Sequence, residues 1–188
     1  MLLAGSQLRE VVIQGARKLE KVEGIKCLRL LKRLKIDNCP ELYRLPSLAE
    51  LTSAKEIELK NCTNLEKIES LKHLRSLKKL QICDYSKLDR FPSLTQLVSL
   101  KKFILIRCDM LEKIEGLESL SSLKVLNINN CPELVVLPSL AKLTILKEIK
   151  LKSCYKLERI EGLERARSFQ TFMIKDHPRF RLCIVSHF

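Results

Sequence analysis

The chain has 188 residues, of which 46% are hydrophobic and 5% aromatic, and 35 basic against 22 acidic residues give it a formal charge of +13. No apolar run reaches the roughly 18 residues of a membrane-spanning helix, and the first residues lack the basic and apolar regions of a secretion signal. The composition therefore excludes a membrane-spanning class, predicts a cytoplasmic protein, and favours partners with acidic surfaces.

A pattern of 23 residues runs through the chain eight times without a gap, beginning at Leu8. When each repeat is numbered from 1 to 23, positions 1, 4, 6, 12, 15, 18 and 21 are apolar in all of the first seven repeats. Each unit needs a neighbour to bury its apolar face, so we expect one solenoid domain over 1–188. The repeats run from 8 to about 175, and 176–188 is predicted to be a C-terminal tail or cap. Because only seven residues precede the first repeat, we expect a fragment of a longer protein.

Positions 3 to 7 of each repeat alternate between polar and apolar residues, which is typical of a strand with one buried face. Strands joined by crossovers of 18 residues are parallel. We expect a curved α/β solenoid with a parallel sheet on its concave face and short helical or 3-10 turns on its convex face. The predicted strands are 10–14, 33–37, 56–60, 79–83, 102–106, 125–129, 148–152 and 171–175.

Positions 16 and 17 alternate between two types of sequence. Odd repeats carry Glu-Gly or Glu-Ser, as at Glu23-Gly24, and even repeats carry Pro-Ser, as at Pro46-Ser47. Proline fixes φ and is tolerated at the start of a helical turn. We therefore expect this alternation to set the backbone geometry of the convex side and to have no role in binding.

Five of the eight cysteines share position 9, just after the strand. A small side chain there lies under the turn and can form a hydrogen bond with neighbouring backbone. Zinc sites need closely spaced Cys or His pairs, which a spacing of 23 residues does not provide. We expect buried, reduced thiols rather than a disulfide framework, in keeping with a cytoplasmic setting. The five residues are Cys39, Cys62, Cys108, Cys131 and Cys154.

Position 9 is followed by two residues and Leu, as in Cys39-Pro40-Glu41-Leu42, and then by Leu-Pro-Ser-Leu at 45–48. From residue 8 to about 175, this C-x-x-L-x-x-L-P form resembles the leucine-rich-repeat region of plant nucleotide-binding leucine-rich-repeat disease-resistance proteins of the Toll-like-domain class. The resemblance implies a non-catalytic domain that recognises pathogen molecules, directly or through a guarded host protein, and keeps a nucleotide-binding switch inactive. The chain has no G-x-x-x-x-G-K-[ST] loop, so a nucleotide-binding domain would be a partner outside it.

Basic residues are concentrated on the sheet. Position 2 is basic in the first seven repeats, and the outward positions 3, 5 and 7 add eight bases against five acids, so these columns hold +10 of the formal +13. Such lysines can serve solubility alone, or they can form a basic trough that attracts an acidic protein surface. After Arg9, the predicted basic edge consists of Lys32, Lys55, Lys78, Lys101, Lys124 and Lys147.

An apolar set interrupts the outward positions, where Cys83 and three further residues are expected to face solvent. Exposed apolar clusters mark binding sites, although drift in a truncated gene copy would leave the same residues. We predict that a protein partner with an acidic surface binds the concave face. The predicted contact residues are Lys79, Lys102, Ile104, Ile106, Val125, Lys150 and Lys152.

Other functions are less well supported by the sequence. The three histidines, His73, His177 and His187, do not recur with a nucleophile, so no catalytic residue, metal or cofactor is predicted. Aromatic residues are few and occupy core columns, which disfavours nucleic-acid binding. A general intracellular leucine-rich-repeat scaffold or adaptor in signalling is the alternative function.

Overall fold

The computed structural model describes residues 7–163 and 168–180. Within them, eight strands of five residues form one parallel sheet in chain order. All eight lie at the predicted residues, which confirms the leucine-rich-repeat solenoid. The predicted cap is described only up to residue 180, and the start of the chain, 1–6, lies outside the described residues. The strands are β1 Glu10–Gln14, β2 Arg33–Asp37, β3 Glu56–Lys60, β4 Lys79–Cys83, β5 Lys102–Ile106, β6 Val125–Asn129, β7 Glu148–Lys152 and β8 Thr171–Lys175.

The register of the sheet equals the length of the repeat. Ile57 pairs with Leu80, and Leu80 pairs with Phe103, so each residue lies beside the one 23 positions later. Equivalent positions therefore form columns that run across the strands. Positions 4 and 6 form two fully buried core columns from β2 to β7, and burial of their side chains is the main source of stability in such a stack.

The residue after each strand, at position 8, has a positive φ in all eight repeats. In the first seven repeats its backbone N–H donates to the position 7 carbonyl of the next repeat, as in the 3.0 Å bond from Asn61 N to Cys83 O. Glycine, Asn and Asp adopt this left-handed conformation most readily, and six of the eight residues are of these types. They are Gly15, Asn38, Asn61, Asp84, Arg107, Asn130, Ser153 and Asp176.

The five position 9 cysteines are buried and free, as predicted. Each thiol donates to the position 7 carbonyl of its own repeat, for example from Cys62 Sγ to Lys60 O at 3.2 Å. Lys60 O also accepts the backbone N–H of Asn38, so the thiol occupies the remaining lone pair of this carbonyl. In repeat 4 the position is taken by Tyr85, which is fully buried. Its hydroxyl makes no hydrogen bond within the described residues.

The crossovers differ according to positions 16 and 17. The described chain has two 3-10 helices, Ile25–Cys27 and Leu117–Ser119, and each follows a glycine with positive φ. The Pro-Ser repeats form turns instead, so the expectation of 3-10 geometry holds in two repeats with Gly at position 17. Glu69-Ser70 belongs to an odd repeat but is followed by turns like those of the Pro-Ser repeats. The alternation therefore does not by itself set the convex backbone, and what the two 3-10 helices share is the preceding glycine.

Candidate protein-binding surface

The side chains at positions 3, 5 and 7 form the face of the sheet that was predicted to be concave, here called the outer sheet face. Ion pairs between strands dominate its β1–β4 part. Arg33 contacts Glu10 at 3.1 Å and Glu56 at 2.9 Å. Lys79 contacts Glu56 at 2.8 Å and also binds Glu58. These pairs join residues 21 or 23 positions apart in sequence, so they link neighbouring repeats.

Glu58 lies at the centre of this network. Partial burial alone raises the pKa of its carboxyl group, but hydrogen bonds with Lys79 and Lys60 outweigh that effect and lower the pKa to about 2. The Lys60 ammonium lies 3.0 Å from the carboxylate. The acid is therefore held in its ionised form by two cations, and its charge is not available to repel an acidic partner.

Pairing changes which of the predicted contact lysines carry a free charge. Lys79 is bound by Glu56 and Glu58, and Lys150 lies 2.7 Å from Glu148. Lys102 and Lys152 are exposed, and neither forms an ion pair with any described residue. Of the four predicted contact lysines, Lys102 and Lys152 are therefore the two whose charge is not paired by a described acid.

The three neighbouring strands β5 to β7 bring the other predicted residues together in a small grid. Position 5 forms the row Ile104, Asn127 and Lys150, and position 7 forms the row Ile106, Asn129 and Lys152. At position 3, Val125 lies between Lys102 and Glu148. Ile104, Ile106 and Val125 are half-buried, so this part of the outer sheet face combines accessible apolar surface with two amides and two unpaired cations.

The prediction that Cys83 belongs to this accessible apolar set is wrong. Its side chain lies on the outer sheet face, but only 6% of the residue is exposed. The Gln81 Nε2 atom donates to the thiol at 3.5 Å, and burial, the largest effect, raises the pKa of Cys83. The thiol is short and accepts a hydrogen bond from the Gln81 amide, and with so little of the residue exposed it offers no contact surface.

The predicted basic edge forms a regular row. The position 2 carbonyl accepts two backbone N–H bonds from the next repeat, as where Lys78 O accepts from Lys101 N at 2.9 Å and Lys102 N at 3.0 Å. This ladder keeps the seven position 2 side chains in register, and all of them are exposed. No acid in 7–163 or 168–180 forms an ion pair with any of the seven. The described position 3 acids are bound instead by Arg33, Lys79 and Lys150.

The pairing on the outer sheet face could have been foreseen from the sequence. Position 3 reads Glu10, Arg33, Glu56 and Lys79 in successive repeats. Opposite charges on directly adjacent parallel strands attract each other, so this alternation indicates a ladder of ion pairs. A count of net charge by column does not show which cations stay unpaired.

Among the described residues, no group of three or more His, Cys, Asp or Glu side chains is placed to hold a metal ion. No helix in the described part of the chain has both the length and the apolar character needed to cross a bilayer.

The eight stacked repeats place the chain in the leucine-rich-repeat fold class, and one solved structure supports this assignment. The fold is similar to that of the leucine-rich repeat domain of the type III effector XopL, with 21% identity and a TM-score of 0.73 over 94% of this chain and 62% of that chain. It is also similar to internalin C2 from Listeria monocytogenes str. 4b F2365, with 15% identity and a TM-score of 0.46 over 88% and 80% of the two chains. No protein-family model and no curated protein matches the chain.

Proposed function

We propose that this chain is a non-catalytic protein-interaction domain that binds an acidic partner on the β5–β7 part of the outer sheet face. The observation that carries the proposal is the grid in which Ile104, Ile106 and Val125 form one accessible apolar group on the neighbouring strands β5 and β6. Apolar contact area provides most of the energy of such interfaces. The unpaired Lys102 and Lys152 flank that area and would raise the rate of association with an acidic surface.

We further propose that the domain works in the cytoplasm in plant innate immunity, in recognition of pathogen effectors or in autoregulation. The support is the C-x-x-L-x-x-L-P form, as at Cys39 to Pro46 and at Cys131 to Pro138, which resembles plant disease-resistance proteins. In that setting the whole chain is one leucine-rich-repeat domain that contacts a nucleotide-binding domain on another polypeptide segment.

The test begins with capture of partners from plant tissue, followed by biolayer interferometry with the purified partner. Ile104→Asp/Ile106→Asp should speed dissociation by tenfold or more, since it buries an unpaired charge in the contact. Lys102→Glu/Lys152→Glu should slow association and weaken its dependence on salt, because these cations act at long range.

Two matched controls distinguish an effect at the outer sheet face from a general effect of the substitutions on charge or folding. Val135→Asp/Val136→Asp makes the same change at two exposed positions away from the sheet, and Lys67→Glu/Lys142→Glu reverses two exposed charges on the crossovers. Both controls should bind like the parent, and circular dichroism should show that all four variants fold. Unchanged binding of both outer-face variants would contradict the proposal.

A further inference from the structure

The basic edge has a second feature, which lies one position before the buried residue that starts each repeat. Ser stands at position 23 and Lys at position 2 in four consecutive junctions, and position 1 between them is fully buried. The Ser and Lys side chains on either side are exposed or half-buried. The four triplets are Ser53-Ala54-Lys55, Ser76-Leu77-Lys78, Ser99-Leu100-Lys101 and Ser122-Leu123-Lys124.

These side chains have unused hydrogen-bonding capacity. Within 7–163 and 168–180, none of the four hydroxyl groups makes a hydrogen bond and none of the four ammonium groups is in an ion pair. Each junction therefore presents one O–H donor and one cationic ammonium group that no described residue uses. An ammonium and a hydroxyl together suit a carboxylate, which accepts several hydrogen bonds and gains most from charged donors.

The spacing of the junctions defines the length of a ligand. Neighbouring strands lie about 4.8 Å apart, so the row from Arg9 to Lys147 covers six intervals, or about 29 Å. An extended polypeptide advances about 3.3 Å per residue, so nine or ten residues cover the same distance.

From this geometry we infer that the basic edge binds an extended acidic polypeptide segment of about ten residues that runs across the strands. Carboxylates near its middle bind the four Ser-Lys pairs, and those toward its ends bind the remaining position 2 cations. The inference rests on the proposed protein-binding function and adds a second contact surface beside the grid. A polypeptide fits better than a single-stranded nucleic acid, because positions 22, 23, 1 and 2 carry no aromatic residue at the junctions from 29–32 to 144–147. Stacking on such side chains is the usual basis of single-strand binding.

The test uses the full chain and a fluorescently labelled decaglutamate peptide, with binding followed by fluorescence anisotropy. Lys78→Glu/Lys101→Glu should weaken binding by about tenfold or more, because two favourable charges become repulsive. Ser76→Ala/Ser99→Ala leaves the charge unchanged and should weaken binding by about threefold or more, through loss of hydrogen bonds to carboxylates. Affinity should rise from tetraglutamate to decaglutamate and change little on extension to hexadecaglutamate.

Two controls make the outcome specific. Lys67→Glu/Lys142→Glu changes the net charge equally and should retain at least half of the affinity for decaglutamate. Ile104→Ser/Ile106→Ser, on the outer sheet face, should also bind decaglutamate like the parent. The same variant should bind a verified partner more weakly than the parent does. The inference is supported if the edge variants lose affinity for decaglutamate and both controls keep it.

Three results would overturn it. An equal loss of affinity in Lys78→Glu/Lys101→Glu and Lys67→Glu/Lys142→Glu would show that the peptide is attracted by the overall charge of the protein and not by the edge. Tighter, edge-dependent binding of a ten-nucleotide oligothymidine or of a DNA duplex would assign the edge to nucleic acid. Loss of decaglutamate binding only in the Ile104→Ser/Ile106→Ser variant would place the acidic segment on the grid, which would contradict the edge site and leave the proposed function intact.

Discussion

At the scale of single residues, the outer sheet face shows how one carboxylate can hold neighbouring repeats together. Glu58 on β3 contacts Lys60 in its own strand and Lys79 on β4. Only 13% of its side chain is exposed, so solvent screens these pairs less than those at the surface. Repeated charges therefore serve cohesion between repeats as well as solubility.

Replacement of this carboxylate should reduce stability in a manner that depends on pH. Glu58 has a folded-state pKa of about 2, below the value of about 4.3 expected in an unfolded chain. The lowered pKa stabilises the folded state above about pH 4.5, and this contribution is lost as pH falls toward 2. We expect Glu58→Gln to lower the free energy of unfolding by about 1–3 kcal/mol at pH 7, and the deficit to shrink below pH 4.5.

Urea denaturation between pH 7 and pH 3 checks this prediction. The control is Glu66→Gln, at an exposed acid of the same repeat that makes no ion pair with a described residue. That variant should differ from the parent by less than about 0.5 kcal/mol at every pH. A constant deficit for Glu58→Gln across the pH range would show that its ion pairs contribute nothing.

The cysteine column gives a second prediction at this scale. Cys27 is exposed, whereas the five position 9 cysteines and Cys83 are buried. Burial, the largest effect, raises the pKa of Cys62 to about 11, and the thiol form does not react with disulfide reagents. In a Cys183→Ser background, a disulfide reagent at pH 8 should modify one thiol quickly and the others more slowly by on the order of a hundredfold or more.

Additional removal of Cys27 should abolish the fast phase, and unfolding in guanidinium should expose every thiol. Fast modification of Cys62, Cys108 or Cys131 in the native state would contradict the buried column.

At the scale of elements, glycine allows the crossovers of two neighbouring repeats to approach each other and form a backbone hydrogen bond. Gly116 has a φ of +82°, and a Cβ atom there would lie 2.5 Å from Thr95 N in the preceding repeat. Next to it, Leu94 N donates to Glu115 O at 2.9 Å. The same contact recurs where Leu140 N donates to Glu161 O at 2.8 Å, beside Gly162. The Glu-Gly sequence thus allows an odd repeat to approach the Pro-Ser turn of the even repeat before it.

Alanine at these glycines should separate the cost of the backbone conformation from the cost of close approach. Gly24 has a φ of +81°, and a Cβ atom there would have no neighbour within 4 Å, so Gly24→Ala should cost about 1–2 kcal/mol for the left-handed backbone alone. Gly116→Ala should cost at least twice as much, because the methyl group also displaces Thr95 and weakens the bond to Glu115. Urea denaturation of both variants measures the difference, and equal costs would show that the crossovers need no such approach.

At the scale of the whole molecule, stability depends on having a neighbour on each side. Ile82 on β4 is fully buried, whereas Ile13, at the same position of β1, is half-buried because β2 is the only strand in 7–163 and 168–180 that pairs with β1. Each repeat of a solenoid contacts mainly the adjacent ones, so identical side chains contribute unequally along the stack.

The matched substitutions Ile82→Ala and Ile13→Ala test this dependence. We expect Ile82→Ala to lower the free energy of unfolding by about 2–5 kcal/mol and Ile13→Ala by less than half of that amount, because less apolar area leaves water at that position. Chemical denaturation monitored by circular dichroism provides both values. A loss at Ile13 equal to that at Ile82 would mean that the first repeat is as well covered as the fourth.

The sequence alone determined the repeats, the bounds of all eight strands, the core columns and the buried thiols. These features are local, because a strict 23-residue period with alternating polarity leaves only one register in which every apolar side chain is buried. The left-handed residue after each strand was not predicted. Asn38, Asn61 and Asp84 are of types that adopt this conformation readily, but Arg107 and Ser153 adopt it as well, so residue type alone does not mark the position.

Only the tertiary structure decided which charges and apolar groups are available. Lys79 and Lys102 occupy the same position of adjacent repeats, yet one is bound by two acids and the other by none of the described residues. Cys83 and Ile106 are likewise equivalent in sequence, but only the longer side chain remains accessible. The physical reason is that accessibility on a sheet depends on the length and charge of side chains 23 residues away, which the period places side by side but does not specify.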